Sequence, residues 1–271
     1  MWSRRSFIPL MLGISLLACQ ASPPSENYSP AGAPAPSANY SAASAPTPEA
    51  IRLQGNTSLQ NKDYAEAMRR YRQAADMGDA AAMNNIGWLY QSGGGVPLDH
   101  VEALRWYRQA ADRGSVDAMR NIGWYYQNGW VVPPDYGEAM RWYVQAADRG
   151  NAYAMNNIGL LYQHGWGVPQ DYGEAMRWYR RAAERGILVA TANIGSLYRL
   201  GLGVPQDYGE AMRWYHQAAD RGDAFAMTNI GFLYEYGMGV PKDLSAAVAW
   251  YRRAAALGWP SAKEALARLG Q

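Results

Sequence analysis

Five Asp-x-x-Glu pairs are the first places in this chain to look for chemistry: Asp63/Glu66, Asp99/Glu102, Asp135/Glu138, Asp171/Glu174 and Asp207/Glu210. Two carboxylates three residues apart share a helical face, and in a cleft they can divide the acid and base roles of a reaction. Here each pair follows the last by 36 residues, and a catalytic pair has no reason to recur at a fixed period. The same spacing is a helix-start signature. The Asp oxygen accepts from the backbone N–H three residues on, the Glu reaches back, and losing the Asp costs about 1 kcal/mol. Asp99, Glu102, Asp135, Glu138, Asp171, Glu174, Asp207 and Glu210 are therefore expected to be structural caps.

The remaining reactive residues do not assemble a site. His100, His164 and His216 fall at unrelated phases of the period, which argues against a metal cluster. Gly93-Gly94-Gly95 lacks the Gly-Lys-Ser/Thr that completes a phosphate loop, and neither Gly-x-Ser-x-Gly nor His-Glu-x-x-His occurs. The chain is expected to be no enzyme, with no cofactor and no metal. Its formal charge is +2, and without Arg4 and Arg5 in the leader it has 23 basic and 23 acidic residues. That balance leaves no basic stripe for nucleic acid.

The elements that carry these caps come from the period itself, which marks a stack of similar modules. In the central copy, Ala154, Ile158, Leu161 and Tyr162 lie along one stripe of a first helix. Gly165-Trp166-Gly167-Val168-Pro169 stops it, since Gly supplies crowded backbone and Pro cannot continue a helix. A second helix starts after Asp171 and packs through Ala175, Trp178, Tyr179 and Ala182, with Arg177 and Arg181 toward water, up to Gly186. Gly159 and Ala182 let the backbones approach. Neither helix is long enough to persist alone, so stacking must stabilise both. The expected organisation is a leader over 1–18, a Pro/Ala/Ser-rich tether over 19–47, and a shortened first hairpin over 48–78. Five 36-residue repeats over 79–258 and a closing helix over 259–271 complete it.

The leader also gives an address. Arg4 and Arg5 precede an apolar run, Phe7–Leu17, too short for the roughly 20 residues a membrane-spanning helix needs. Leu16-Leu17-Ala18-Cys19 resembles the lipobox of bacterial lipoproteins, in which the cysteine becomes the acylated first residue. Cys19 is the chain's one cysteine. Ser3-Arg4-Arg5-Ser6-Phe7-Ile8 is similar to the twin-arginine export motif. These resemblances imply lipid attachment at Cys19 and a place in the bacterial cell envelope. Gln20, where an Asp would favour inner-membrane retention, points to the outer membrane facing the periplasm. The tether's Tyr28 and Tyr40 are expected to be ordinary linker residues.

The segment Gly165–Gly186, G-x-G-V-P-x-D-x-x-E-A-x-x-W-Y-x-x-A-A-x-x-G, resembles the Sel-one-like repeat family, a branch of the tetratricopeptide-type solenoids, over roughly residues 49–270. The resemblance implies an all-α fold, a right-handed alpha-alpha superhelix of stacked helical hairpins, and a scaffold or adaptor role. A cysteine-rich branch of the family is linked to beta-lactam hydrolysis, but its recurrent cysteines do not occur here.

Copies within one chain separate packing from recognition. Ile86, Ile122, Ile158, Ile194 and Ile230 stay fixed, as do Asn85, Asn121, Asn157, Asn193 and Asn229. The asparagines suit either a peptide-binding groove or a structural ladder, and their invariance with the core favours the ladder. Three positions vary: Ala81/Asp117/Tyr153/Val189/Phe225, Asn84/Arg120/Asn156/Ala192/Thr228 and Trp88/Trp124/Leu160/Ser196/Phe232. Their spacing puts them on one side of the first helices, which is expected to be a concave binding face. Asp117, Arg120, Trp124, Tyr153, Asn156, Phe225 and Phe232 are the candidate contacts, with Arg120 as a charged selector. Trp130 and Trp166 in the loops suggest a second patch. The expected partner is an envelope protein or peptide, besides the lipid membrane through Cys19. The alternative is a cell-envelope glycan-binding protein or hydrolase, or an accessory to one.

Overall fold

The computed structural model describes residues 45–271. The expected leader, Cys19, Tyr28, Tyr40 and most of the tether lie outside the described residues. Among the described residues the secondary structure is helical throughout: α1 Pro48–Gln60, α2 Tyr64–Asp76, α3 Ala80–Ser92, α4 His100–Asp112, α5 Val116–Asn128, α6 Tyr136–Asp148, α7 Ala152–His164, α8 Tyr172–Ala183, α9 Leu188–Leu200, α10 Tyr208–Ala219, α11 Ala224–Tyr236, α12 Leu244–Ala256 and α13 Pro260–Arg268. No helix among them is long and apolar enough to cross a membrane.

The chain divides into two compact units, α1–α6 and α7–α13. In the first, hairpins α1/α2, α3/α4 and α5/α6 stack so that α2 packs on α3 and α4 on α5. In the second, α7/α8, α9/α10 and α11/α12 stack through α8 on α9 and α10 on α11, and α13 closes against α12. Each is a run of stacked helical hairpins, the all-α solenoid plan expected from the period.

One contact explains why the hairpin is so constant. The second helix of each hairpin carries a fully buried tyrosine, Tyr71, Tyr107, Tyr143, Tyr179, Tyr215 or Tyr251. Its ring lies on a glycine of the first helix: Gly55, Gly87, Gly123, Gly159, Gly195 or Gly231. A Cβ on Gly159 would come within 2.6 Å of the Tyr179 ring, so any larger residue there forces the helices apart. Around this contact sit the fixed isoleucines, with Ile86, Ile122, Ile158, Ile194 and Ile230 at 0% exposure. Alanines such as Ala175 and Ala182 fill the space beside them.

Candidate protein-binding face

The repeated acid pairs sit where capping requires, but only half of each box forms. Asp135, Asp171 and Asp207 each accept, through Oδ1, from the N–H of Glu138, Glu174 and Glu210 at 2.9 Å, and Asp99 does so from Glu102 at 3.0 Å. The glutamates do not reach back. Asp171 N–H already donates to the Tyr162 carbonyl across the loop at 3.0 Å, and Asp99, Asp135 and Asp207 do the same with Tyr90, Tyr126 and Tyr198. Each glutamate is therefore free to pair with an arginine one turn on: Glu102 with Arg105, Glu138 with Arg141, Glu174 with Arg177 and Glu210 with Arg213. This corrects the expected reciprocal box. It also explains Asp243, which caps α12 through the Ala246 N–H at 2.9 Å with no glutamate present.

Behind the caps, polar atoms join helices in the core. Tyr107, Tyr143 and Tyr179 donate their hydroxyls to Gln91, Gln127 and Gln163 at 2.7–2.8 Å. Tyr251 donates to Glu235, and Tyr215 meets Ser196 and Arg199. Burial pushes the Tyr71 hydroxyl up to about 12, and burial raises Tyr107 and Tyr251 as well, so these hydroxyls stay protonated donors. The asparagines form rungs between successive first helices. Asn85 donates to Asn56 at 3.2 Å, Asn121 to Asn84 at 2.9 Å and Asn193 to Asn156 at 3.3 Å. Asn229 instead turns to the Phe225 carbonyl of its own helix. The asparagines are thus chiefly a structural ladder.

The ladder reassigns part of the expected binding face. Arg120 is 1% exposed and donates to Asn121 Oδ1 at 2.6 Å, so its guanidinium serves the ladder and is not a selector for a ligand. Asn156 is 0% exposed and accepts the Asn193 rung. Trp124 is buried and stacks on Trp130 at 5.6 Å between centroids. Arg120 and Asn156, three residues on from Asp117 and Tyr153, meet the asparagine ladder rather than solvent, and Trp124, seven residues on from Asp117, is covered by Trp130. Asp117 and Tyr153 are exposed, Asp117 accepting from Asn151 Nδ2 at 3.0 Å. Phe225 and Phe232 are half-buried. Phe225 lies edge-on to Trp259, and Phe232 sits beside Tyr236 with the Arg199 guanidinium over its ring. Of the two loop tryptophans, Trp130 is exposed, whereas Trp166 is half-buried and stacked on His164 at 4.4 Å. Burial lowers His164, which favours its neutral form. Among the described residues no group of three His, Cys, Asp or Glu side chains is placed to hold a metal ion.

A family comparison decides what this hairpin is. The Sel1 repeat model matches residues 52–79, 80–115, 116–151, 152–187, 188–223 and 224–259, the shortened first hairpin included. The chain belongs to the Sel1 repeat family. Among solved structures, a Sel1 repeat protein from Oxalobacter formigenes is 38% identical with a TM-score of 0.73, covering 79% of this chain and 87% of that one. The uropathogenic Escherichia coli protective antigen c5321 is 31% identical with a TM-score of 0.66 over 82% of this chain. This chain spans about half, 48%, of c5321. Immunity protein PA5088 from Pseudomonas aeruginosa shares the fold alone, at 21% identity and a TM-score of 0.57, over 78% of this chain and 83% of that one. A search of curated proteins gave no match. In this Sel1 repeat array, the buried tyrosine–glycine contact and the half-box caps use up the repeated polar residues.

Proposed function

We propose that this Sel1 repeat protein is a non-enzymatic scaffold that binds a protein or peptide on its first helices, held at a bacterial envelope membrane by acylation of Cys19. The observation that carries the reading is the division within each copy. The core positions repeat, while exposed Asp117 and Tyr153 and half-buried Phe225 and Phe232 occupy places that change from module to module. A stack of hairpins preorganises such positions without a folding cost at the moment of binding, and aromatic residues provide the anchoring contacts. The anchor rests on Leu16-Leu17-Ala18-Cys19, and Gln20 directs it to the outer membrane facing the periplasm. More than one acyl chain makes such attachment durable.

The test is capture of an envelope protein by the full chain, compared with Asp117→Arg and Tyr153→Ala variants of unchanged helicity. The reading expects capture to fall about tenfold in at least one variant. Undiminished capture, or saturable binding of peptidoglycan fragments with no protein retained, contradicts it. Fractionation of Cys19→Ser tests the anchor, which expects release from the membrane.

A further inference from the structure

One cation in the second unit is buried without a counter-charge. The residue that accepts the buried tyrosine hydroxyl is Gln91, Gln127 or Gln163 in three copies, and its place is taken by Arg199 in the next. An arginine has five donors and no acceptor, so it cannot do what glutamine does. Ser196 does it instead: its own proton goes to the Ala192 carbonyl, and its Oγ lies 3.0 Å from the Tyr215 hydroxyl. Other copies hold Trp88, Trp124, Leu160 or Phe232 at that place. Two residues have thus changed together to admit a cation where neutral glutamine serves the fold, and a buried ion loses its hydration.

Arg199 is 8% exposed. Its Nε donates to the Tyr215 hydroxyl at 3.3 Å, and its guanidinium carbon lies 5.5 Å from the centre of the Phe232 ring. The ring face and the C-terminal end of α9 offset part of the lost hydration and orient the group. They do not supply a counter-ion. Its two terminal nitrogens make no hydrogen bond among the described residues, and they are not sealed from water.

The acids around it are all engaged elsewhere. Helices α7 and α9 carry none. Glu174 of α8 and Glu210 of α10 pair with Arg177 and Arg213. Glu235 of α11 takes Arg268 at 2.9 Å and Tyr251 at 2.8 Å. Asp171 and Asp207 cap α8 and α10. No carboxylate among the described residues lies within ion-pair distance of Arg199, so the seam between α9 and α11 is short of one negative charge.

We propose that Arg199 seats the carboxylate of an acidic side chain presented by a bound protein segment, its terminal nitrogens donating to the two carboxylate oxygens. Ser196 and Phe232 belong to the varying positions of the first helices, so the proposal rests on the first-helix reading and names the chemistry recognised there.

NMR of the full chain with nitrogen-labelled arginine tests it, the Arg199 Nε–H signal being assigned by its loss in Arg199→Gln. The probes are three short acetylated peptides: leucine–glutamate–leucine with an amidated end, leucine–glutamine–leucine with an amidated end, and the latter with a free terminal carboxylate. The glutamate peptide is expected to shift the signal saturably, and the other two only at concentrations at least about tenfold higher. In fluorescence anisotropy the labelled glutamate peptide is expected to bind Arg199→Gln at least about tenfold more weakly. That variant installs the residue of three other copies, so its melting temperature is expected to stay level or rise. Equal response to the glutamate and glutamine peptides, preference for the free chain end, or no saturable shift would overturn the proposal. So would undiminished binding to Arg199→Gln, or a marked fall in its melting temperature. Protein capture that falls with Asp117→Arg or Tyr153→Ala but not with Arg199→Gln would remove this proposal and leave the scaffold reading standing.

Discussion

At Tyr179 a single oxygen joins two helices. Its hydroxyl donates to Gln163 at 2.7 Å in a buried setting, so Tyr179→Phe leaves a polar atom of Gln163 short of a donor. The expected loss is about 1–3 kcal/mol in chemical denaturation. Gly159→Ala is expected to cost about 1–3 kcal/mol as well, because the added Cβ meets the Tyr179 ring and overrides alanine's better helix propensity. Glu235 replaces the usual glutamine and receives Arg268 at 2.9 Å and Tyr251 at 2.8 Å. Burial pushes the Glu235 carboxyl up, but the bonds from Arg268 and Tyr251 outweigh it and hold it below its ordinary value of 4.5. Its stabilisation is therefore complete above pH 4.5 and lost as pH falls through the lower folded-state value. Glu235→Gln should cost about 1–2 kcal/mol at neutral pH, with the difference from the parent vanishing in strong acid; melting temperatures across pH measure this. At this scale the close approach at Gly159 was legible, because glycine inside a helix has few other uses. The burial of Arg120 was not. Its neighbours at that phase are Asn84 and Asn156, and nothing in sequence says that a longer cation bends back onto Asn121.

For the helix, the caps make a sharper test than the packing. Asp171→Ala should cost about 1 kcal/mol, since Oδ1 holds the Glu174 N–H. Glu174→Ala should cost only a few tenths, because its partner is the exposed Arg177 rather than the Asp171 backbone. A reciprocal box would make the two losses similar, and thermal denaturation of the single variants distinguishes the cases. Ile158→Ala, at 0% exposure, should cost about 2–5 kcal/mol. Helix starts were readable because Asp followed by a Glu-Ala-x-x-Trp/Tyr stretch permits little else. The fate of the glutamate was not, since the Tyr162 carbonyl that replaces it belongs to the other helix of the hairpin.

For the whole molecule, the period of 36 made the stacked-hairpin plan and the family legible, because one repeated solution leaves little topological choice. The candidate face was less so: exposure, which separates Asp117 and Tyr153 from Arg120 and Asn156, comes from how neighbouring first helices close on each other. The central claim is that a protein partner docks on the open side of the first helices. The direct measurement is photocrosslinking in cells, with a crosslinking residue placed singly at Asp117, Tyr153, and at exposed Arg177 and Arg213 on second helices as controls. The account predicts a discrete protein adduct from Asp117 or Tyr153 and none from the controls. Adducts from Arg177 or Arg213 alone would contradict it.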